Sequence, residues 1–215
     1  MLQRHCHPDQ LYTSIYDRPD EGMQQPDLYV VGFPCQPFSG AGLRQGFHGE
    51  NGNMFFKVLE IIRVTRPKAF LLENVVGLCS TEHWQCMERI VDSLVGLRTY
   101  TIHWQVLNTK DHGIPHNRAG VFFVGILHGH GDGSLAFPSP SPNVDFRQFL
   151  DRRHGRPSFA DLPPAAQATA RRNVLQGLQN IEAAGRDPFH EPWIIDCDGS
   201  PSYTKAFPGV SPCIT

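Results

Sequence analysis

Apolar residues in this chain fall in short runs, and their spacing differs from run to run. Residues 27–33, Asp-Leu-Tyr-Val-Val-Gly-Phe, form a continuous stretch stopped by Pro34, the pattern of a buried strand. Residues 68–72, Lys-Ala-Phe-Leu-Leu, form a second strand, and Glu73, Asn74 and Val75 follow it directly. Between the two, Met54, Phe55, Val58, Leu59 and Ile62 recur with a helical period. Asn53 is placed to cap that helix. Arg66-Pro67 is placed to end it, because a residue before proline avoids helical backbone angles. Strand, helix and strand in this order predict a parallel pair with a right-handed crossover, the strands about 4.8 Å apart if adjacent. Cys35 and Glu73, each just past a strand, then emerge at one edge of the sheet.

The same reading continues in both directions. Residues 11–16 predict a short strand ending at Asp17. Residues 81–97 predict a second helix with Trp84, Met87, Ile90, Val91 and Leu94 on its apolar face. Tyr100, Ile102, Trp104 and Val106 alternate with polar residues, as in a half-exposed strand. Residues 108–117 read as a loop and 121–126 as another buried strand. Hairpin-like pairing of these last two strands puts one antiparallel strand into an otherwise parallel sheet. After Leu127 the pattern changes to turns and a proline- and serine-rich stretch, so we place a boundary near residue 135, dividing the chain into 1–134 and 135–215. The second part carries Arg147, Arg152, Arg153 and Arg156, then a helical stretch over 164–185 with Arg171-Arg172, then loop- and strand-like residues from Asp187. An arginine group beside loops is commonly a solvated face, and it can also meet phosphates.

Composition narrows the picture. The 215 residues suffice for one domain with a core, or a domain and part of another. The net charge of −2 means that any nucleic-acid partner must meet a local basic patch. No apolar run reaches the roughly 18 residues of a membrane span, and the N-terminus lacks a signal-peptide core. The six cysteines, without a CxxC, read as reduced thiols of an intracellular protein, nuclear if the source is eukaryotic. His5-Cys6-His7 lacks the further ligands of a metal site. The glycines of residues 39–53 do not have phosphate-loop spacing and read as a mobile loop.

Chemistry concentrates at Cys35. Pro34 and Pro37 stiffen the loop around it, and in open α/β sheets ligands gather beyond the carboxyl ends of the strands. A lone cysteine there is otherwise a small buried hydrophobe. The string Gly32 to Ser39, GFPCQPFS, resembles the Pro-Cys nucleophile motif of the cytosine-C5 DNA methyltransferases. Glu73-Asn74-Val75 is similar to that family's ENV motif. Residues 107–118 followed by Val121 to Gly125 resemble its Gln-x-Arg-x-Arg motif and last strand. The three motifs stand in family order over about residues 27–125. The resemblance implies a partial Rossmann-like α/β sheet of the S-adenosylmethionine-dependent methyltransferases with one antiparallel strand. Residues 135–215 would be a loop-rich partial target-recognition region.

It also implies a reaction. A Cys35 thiolate adds to C6 of a cytosine flipped out of DNA, and a methyl group passes from S-adenosyl-L-methionine to C5. Glu73 supplies a proton at the N3 side of the ring, Asn74 and Val75 place Glu73, and Arg118 binds near the thiol. Pro34, Gln36 and Ser39 would contact the substrate, with Ser39 and residues 40–52 closing over the base. Asp17, Phe33 and Pro34 would lie at the cofactor. The chain departs from the family in having His116 for glutamine and Gly120 for the second arginine; an arginine is expected to fit at 120, ahead of the strand. The family's opening Phe-x-Gly-x-Gly loop, ribose-binding acid and closing motif have no counterpart, so the expectation is a truncated chain, supplemented by missing segments or a complementing chain. Other readings stay open: a non-catalytic nucleic-acid-binding remnant of the fold, an RNA cytosine-C5 methyltransferase, and a Cys-His hydrolase using His112 or His116.

Overall fold

Aromatic and β-branched side chains make Leu28–Gly32 the first strand, β1. The structure, a computed structural model, describes residues 9–19, 25–34, 50–142, 144–150, 161–188, 190–200 and 206–211. Helix α1 spans Glu50–Thr65. It begins ahead of Asn53, so Asn53 lies within the helix rather than at its cap. Phe55, Val58, Leu59, Ile61 and Ile62 form its buried face. The helix stops where the residue before proline must leave helical angles: Arg66 has φ 47°. Strand β2, Ala69–Val75, runs parallel to β1 with Leu28 opposite Ala69 and Gly32 opposite Glu73. Glu73, Asn74 and Val75 are therefore inside the strand, not beyond it; their backbones continue the ladder to the next strand as well.

A 3-10 turn at Val76–Cys79 leads to helix α2, Trp84–Val95. Met87, Ile90 and Leu94 are buried, whereas Trp84, expected on the apolar face, is 44% exposed and donates its Nε1 to Glu88 at 2.9 Å. Strands β3, Tyr100–Asn108, and β4, Ala119–Leu127, complete a sheet of order β1-β2-β4-β3. β4 is antiparallel to β2, pairing Phe70 with Gly125 and Val75 with Gly120. Bonds from His128 N to Thr99 O (2.9 Å) and from Thr109 N to Arg118 O (3.1 Å) flank β3 and β4 in antiparallel register. This is an α/β arrangement with one strand, β4, opposed to its neighbours. Phe70 packs on Tyr100 with ring centroids 5.1 Å apart, and the Tyr100 hydroxyl donates to Pro67 O at 2.9 Å. The region expected as a strand at 11–16 instead contains bends and a 3-10 turn, Ile15–Asp17, capped by Ser14. Its hydroxyl competes for local backbone donors, which favours a turn.

By contacts the chain forms two compact units, Met1–Leu107 with Gly120–Phe137, and Asn108–Ala119 with Pro138–Thr215. In the second, Asn108 caps the 3-10 turn Thr109–Asp111 and donates its Nδ2 to Asn117 Oδ1 at 2.8 Å. Asn117 N donates to Ser211 O, and Ser211 N to Pro115 O. Helix α3, Ala168–Ala183, packs on the antiparallel strands β5, Trp193–Ile195, and β6, Ala206–Pro208. Buried Asn173 ties it to the Cys197 and Gly199 carbonyls at 3.0 and 2.7 Å.

Candidate active site

Parallel strands bring their carboxyl ends to one edge, and the register here sets Glu73 beside Gly32. The other neighbour of Glu73 on the sheet is Phe122 of β4, two positions after Gly120. Both glycines clear room for the carboxylate. A Cβ at Gly32 would stand 3.3 Å from Glu73 Oε2, and one at Gly120 would stand 3.3 Å from Glu73 Oε1. Side chains on those strands would fill the space the carboxylate uses, which explains glycine where β propensity argues against it. The carboxylate is half-buried and has no hydrogen-bond or ion-pair partner among the described residues. A carboxyl group so placed can exchange a proton with, or accept a hydrogen bond from, a polar ring brought to this edge.

Asn74 faces the opposite way and is 1% exposed. Its Nδ2 donates to Phe33 O at 3.2 Å, and its Oδ1 accepts from Val75 N at 2.8 Å. One amide thus ties the end of β2 to the chain leaving β1, two residues before Cys35. Phe33 is buried with its ring 5.6 Å from that of Phe55, and Pro34 is half-buried. Val75 is exposed at the strand end. Cys35, Gln36 and Ser39, and the loop expected to close over a base, lie outside the described residues.

The other expected positions fall on other elements. Asp17 is exposed on the 3-10 turn and accepts from Thr13 Oγ1 at 2.8 Å. Phe33 offers no free ring face because it is in the core. Among the described residues, exposed Asp17 and buried Phe33 do not form a shared cleft for an adenosyl cofactor. Arg118 is exposed in the second unit, held through its backbone by Thr109. His112 and His116 belong to that unit too, in backbone bridges to Ser141 and Ser211. Gly120 is not ahead of β4 but inside it and buried. Any side chain there would press on the Asn74 carbonyl at 3.3 Å as well as on Glu73, so the expectation that an arginine fits without adjustment is corrected.

Sequence reasoning missed the Asn74–Phe33 bond and the two glycines; an isolated glycine inside a strand pattern was the available signal for a close approach. Burial pushes the thiols of Cys79, Cys86 and Cys197 up, and for Cys197 the neighbouring Asp198 and Asp196 add to it. Thiols shifted that way hold little thiolate at neutral pH and are poor nucleophiles.

Residues 4–180 match the family of C-5 cytosine-specific DNA methylases. The chain is 44% identical over 101 residues to the type II methyltransferase M.BanI of Aneurinibacillus aneurinilyticus, covering 47% of this chain and 23% of that protein. It is 36% identical over 137 residues to M.BsuFI of Bacillus subtilis, covering 64% and 32%. The chain thus spans about a quarter to a third of the length of these two relatives. Among solved structures it is similar to an Entamoeba histolytica methyltransferase, EhMeth, with a TM-score of 0.46 and 18% identity over 66% of this chain and 43% of the other. With most of its length inside the matched region, the chain belongs to the C-5 cytosine-specific DNA methylase family.

Proposed function

We propose that the chain carries the nucleophile and proton-donor part of a DNA cytosine-C5 methyltransferase. In this reading Cys35 adds as a thiolate to C6 of a flipped-out cytosine, and electron density moves to C5. Glu73 delivers a proton to N3, so the adduct forms without a full negative charge on the ring. After C5 has reacted, loss of its proton and departure of the thiolate restore the aromatic ring. Asn74 acts as a positioning residue, through the Phe33 carbonyl, on the chain that leads to Cys35. Pro34, Gln36, Ser39 and Val75 line the base, and Arg118 contacts the DNA near it. The methyl donor of this reading is S-adenosyl-L-methionine, and the second unit belongs to target recognition. The observation that carries the reading is the Glu73 carboxylate, without a partner among the described residues and given space by glycines on both neighbouring strands, at the edge where β1 leads towards Cys35.

A test follows that needs no methyl donor. Addition at C6 makes C5 exchange its hydrogen with solvent, so a duplex labelled with tritium at C5 of cytosine should release it to water. We expect release with the 215-residue chain, its loss in Cys35→Ser, and its loss in Glu73→Gln. Release that persists in Cys35→Ser would remove that thiol from the mechanism. Absence of release from the folded, DNA-bound parent would overturn the catalytic reading in favour of a binding remnant.

A further inference from the structure

Helix α3 turns Asn173, Gly177 and Ile181 inward within the second unit. Away from them runs a groove of about 340 Å³ lined by Ala168, Arg171, Arg172, Leu175, Gln176 and Gln179. Among the described residues no carboxylate lines it, although the chain carries net −2. Arg171 donates Nη1 to Pro163 O at 3.0 Å, which anchors the chain ahead of the helix. Arg172 is exposed and has no partner among the described residues. Gln176 and Gln179 follow it by about 6 and 10 Å along the axis, at about 1.5 Å per residue. The groove therefore offers two cations, then two amides in line, over an apolar floor of Ala168 and Leu175. That is suited to an extended anion with repeating acceptors rather than a compact one.

We propose that this groove holds the sugar–phosphate backbone of the DNA substrate. Arg172 pairs with one phosphate, and Gln176 and Gln179 hydrogen-bond along the following nucleotides. Such contacts set the register of the protein on the duplex and carry no base preference. The inference rests on the reading of the chain as DNA-acting, and is independent of the chemistry at Cys35 and Glu73.

The test is fluorescence anisotropy of a labelled duplex with the 215-residue chain over a salt series. Removing one phosphate contact lowers the slope of log affinity against log salt by about 0.9. Arg172→Ala should show that drop and weaken binding about two- to fivefold at low salt, as for an exposed ion pair. Arg172→Lys should keep the slope, and Gln176→Glu, which sets a negative charge in the groove, should weaken binding more than Arg172→Ala. Arg63→Ala, at an exposed position of helix α1, should leave the slope unchanged. Equal slopes for parent and Arg172→Ala would overturn the proposal, and so would an equal drop in Arg63→Ala. The two readings separate in the same samples. Tritium release with an unchanged Arg172→Ala slope rejects the groove alone. A slope change without tritium release rejects the chemistry alone.

Discussion

Replacing Asn74 by aspartate changes one atom's role in a buried amide whose two ends are both bonded. The side chain is 1% exposed, and both ends of its amide are used, by the Phe33 carbonyl and the Val75 N–H. Ionised aspartate keeps the acceptor and loses the donor, so Phe33 O faces a carboxylate oxygen. Stranding a buried carbonyl costs about 1–3 kcal/mol. Protonation restores a donor, so the folded pKa of the new acid must rise above its unfolded value of about 3.9. Above that pH the unfolded chain holds fewer protons than the folded one. Stability then falls as pH rises, by about 1.36 kcal/mol per pH unit, until the folded pKa is reached. Between pH 5 and pH 7 the variant should lose about 2.7 kcal/mol relative to the parent if that pKa lies above 7. Urea unfolding of parent and Asn74→Asp, followed by circular dichroism at pH 5, 6 and 7, measures the difference. Tritium release should also fall, because the chain ahead of Cys35 loses its tie. A stability gap that does not widen with pH would refute the buried Asn74–Phe33 bond as its cause.

Gly125→Ala should destabilise the fold by at least about 1–3 kcal/mol, the range for overpacking, because its Cβ would stand 2.1 Å from Cε1 of the fully buried Phe70; an unchanged urea midpoint would show that the ring can move aside. The Tyr100 phenol, pushed up to about 12 by burial with Arg66 opposing weakly, deprotonates first in the unfolded chain, so stability should fall between about pH 10 and 12. Tyr100→Phe should flatten that loss and remove about 1 kcal/mol at neutral pH through the bond to Pro67 O; identical alkaline denaturation curves would contradict it. Glu73→Gln should leave the urea midpoint within about 0.5 kcal/mol of the parent, since the carboxylate has no partner to lose among the described residues; a large shift would mean that Glu73 supports the fold.

The parallel pair and its helix were legible because two continuous apolar runs flank one with helical spacing, and each pattern belongs to one backbone geometry. The edge at which Glu73 lies followed from connection rules alone. Its place inside β2 did not, because a charged residue normally ends an apolar strand pattern, and only the glycines on both neighbouring strands make room for it. Asn53 illustrates a local signal overridden: its capping preference is worth about 1 kcal/mol, less than a further turn of helix can gain elsewhere. Trp84 matched the helical period of α2 yet lies exposed at its first residue, where the helix has only begun to meet the core. Sequence spacing does not encode the hydrogen bond from Asn74 to Phe33, 41 positions earlier in the chain. The family was legible in the motifs at Gly32 to Ser39 and Glu73 to Val75, and the match over residues 4–180 bears it out; residues 35–49, which carry Cys35, stand outside what the structure describes.

Gly32 separates two pressures that usually coincide. Its backbone has ordinary strand geometry, and among the described residues the close neighbour of an added Cβ is the Glu73 carboxylate. Glycine inside a strand weakens the fold by roughly 0.5–1 kcal/mol relative to alanine. A sequence-optimisation protocol that scores only folding would therefore replace it, and would favour a β-branched residue. The product would be a sturdier sheet with the Glu73 carboxylate crowded at the edge. Screening libraries of this chain for expression or heat resistance would select for that exchange. Position 32 should therefore be held fixed whenever the chain is stabilised for laboratory use.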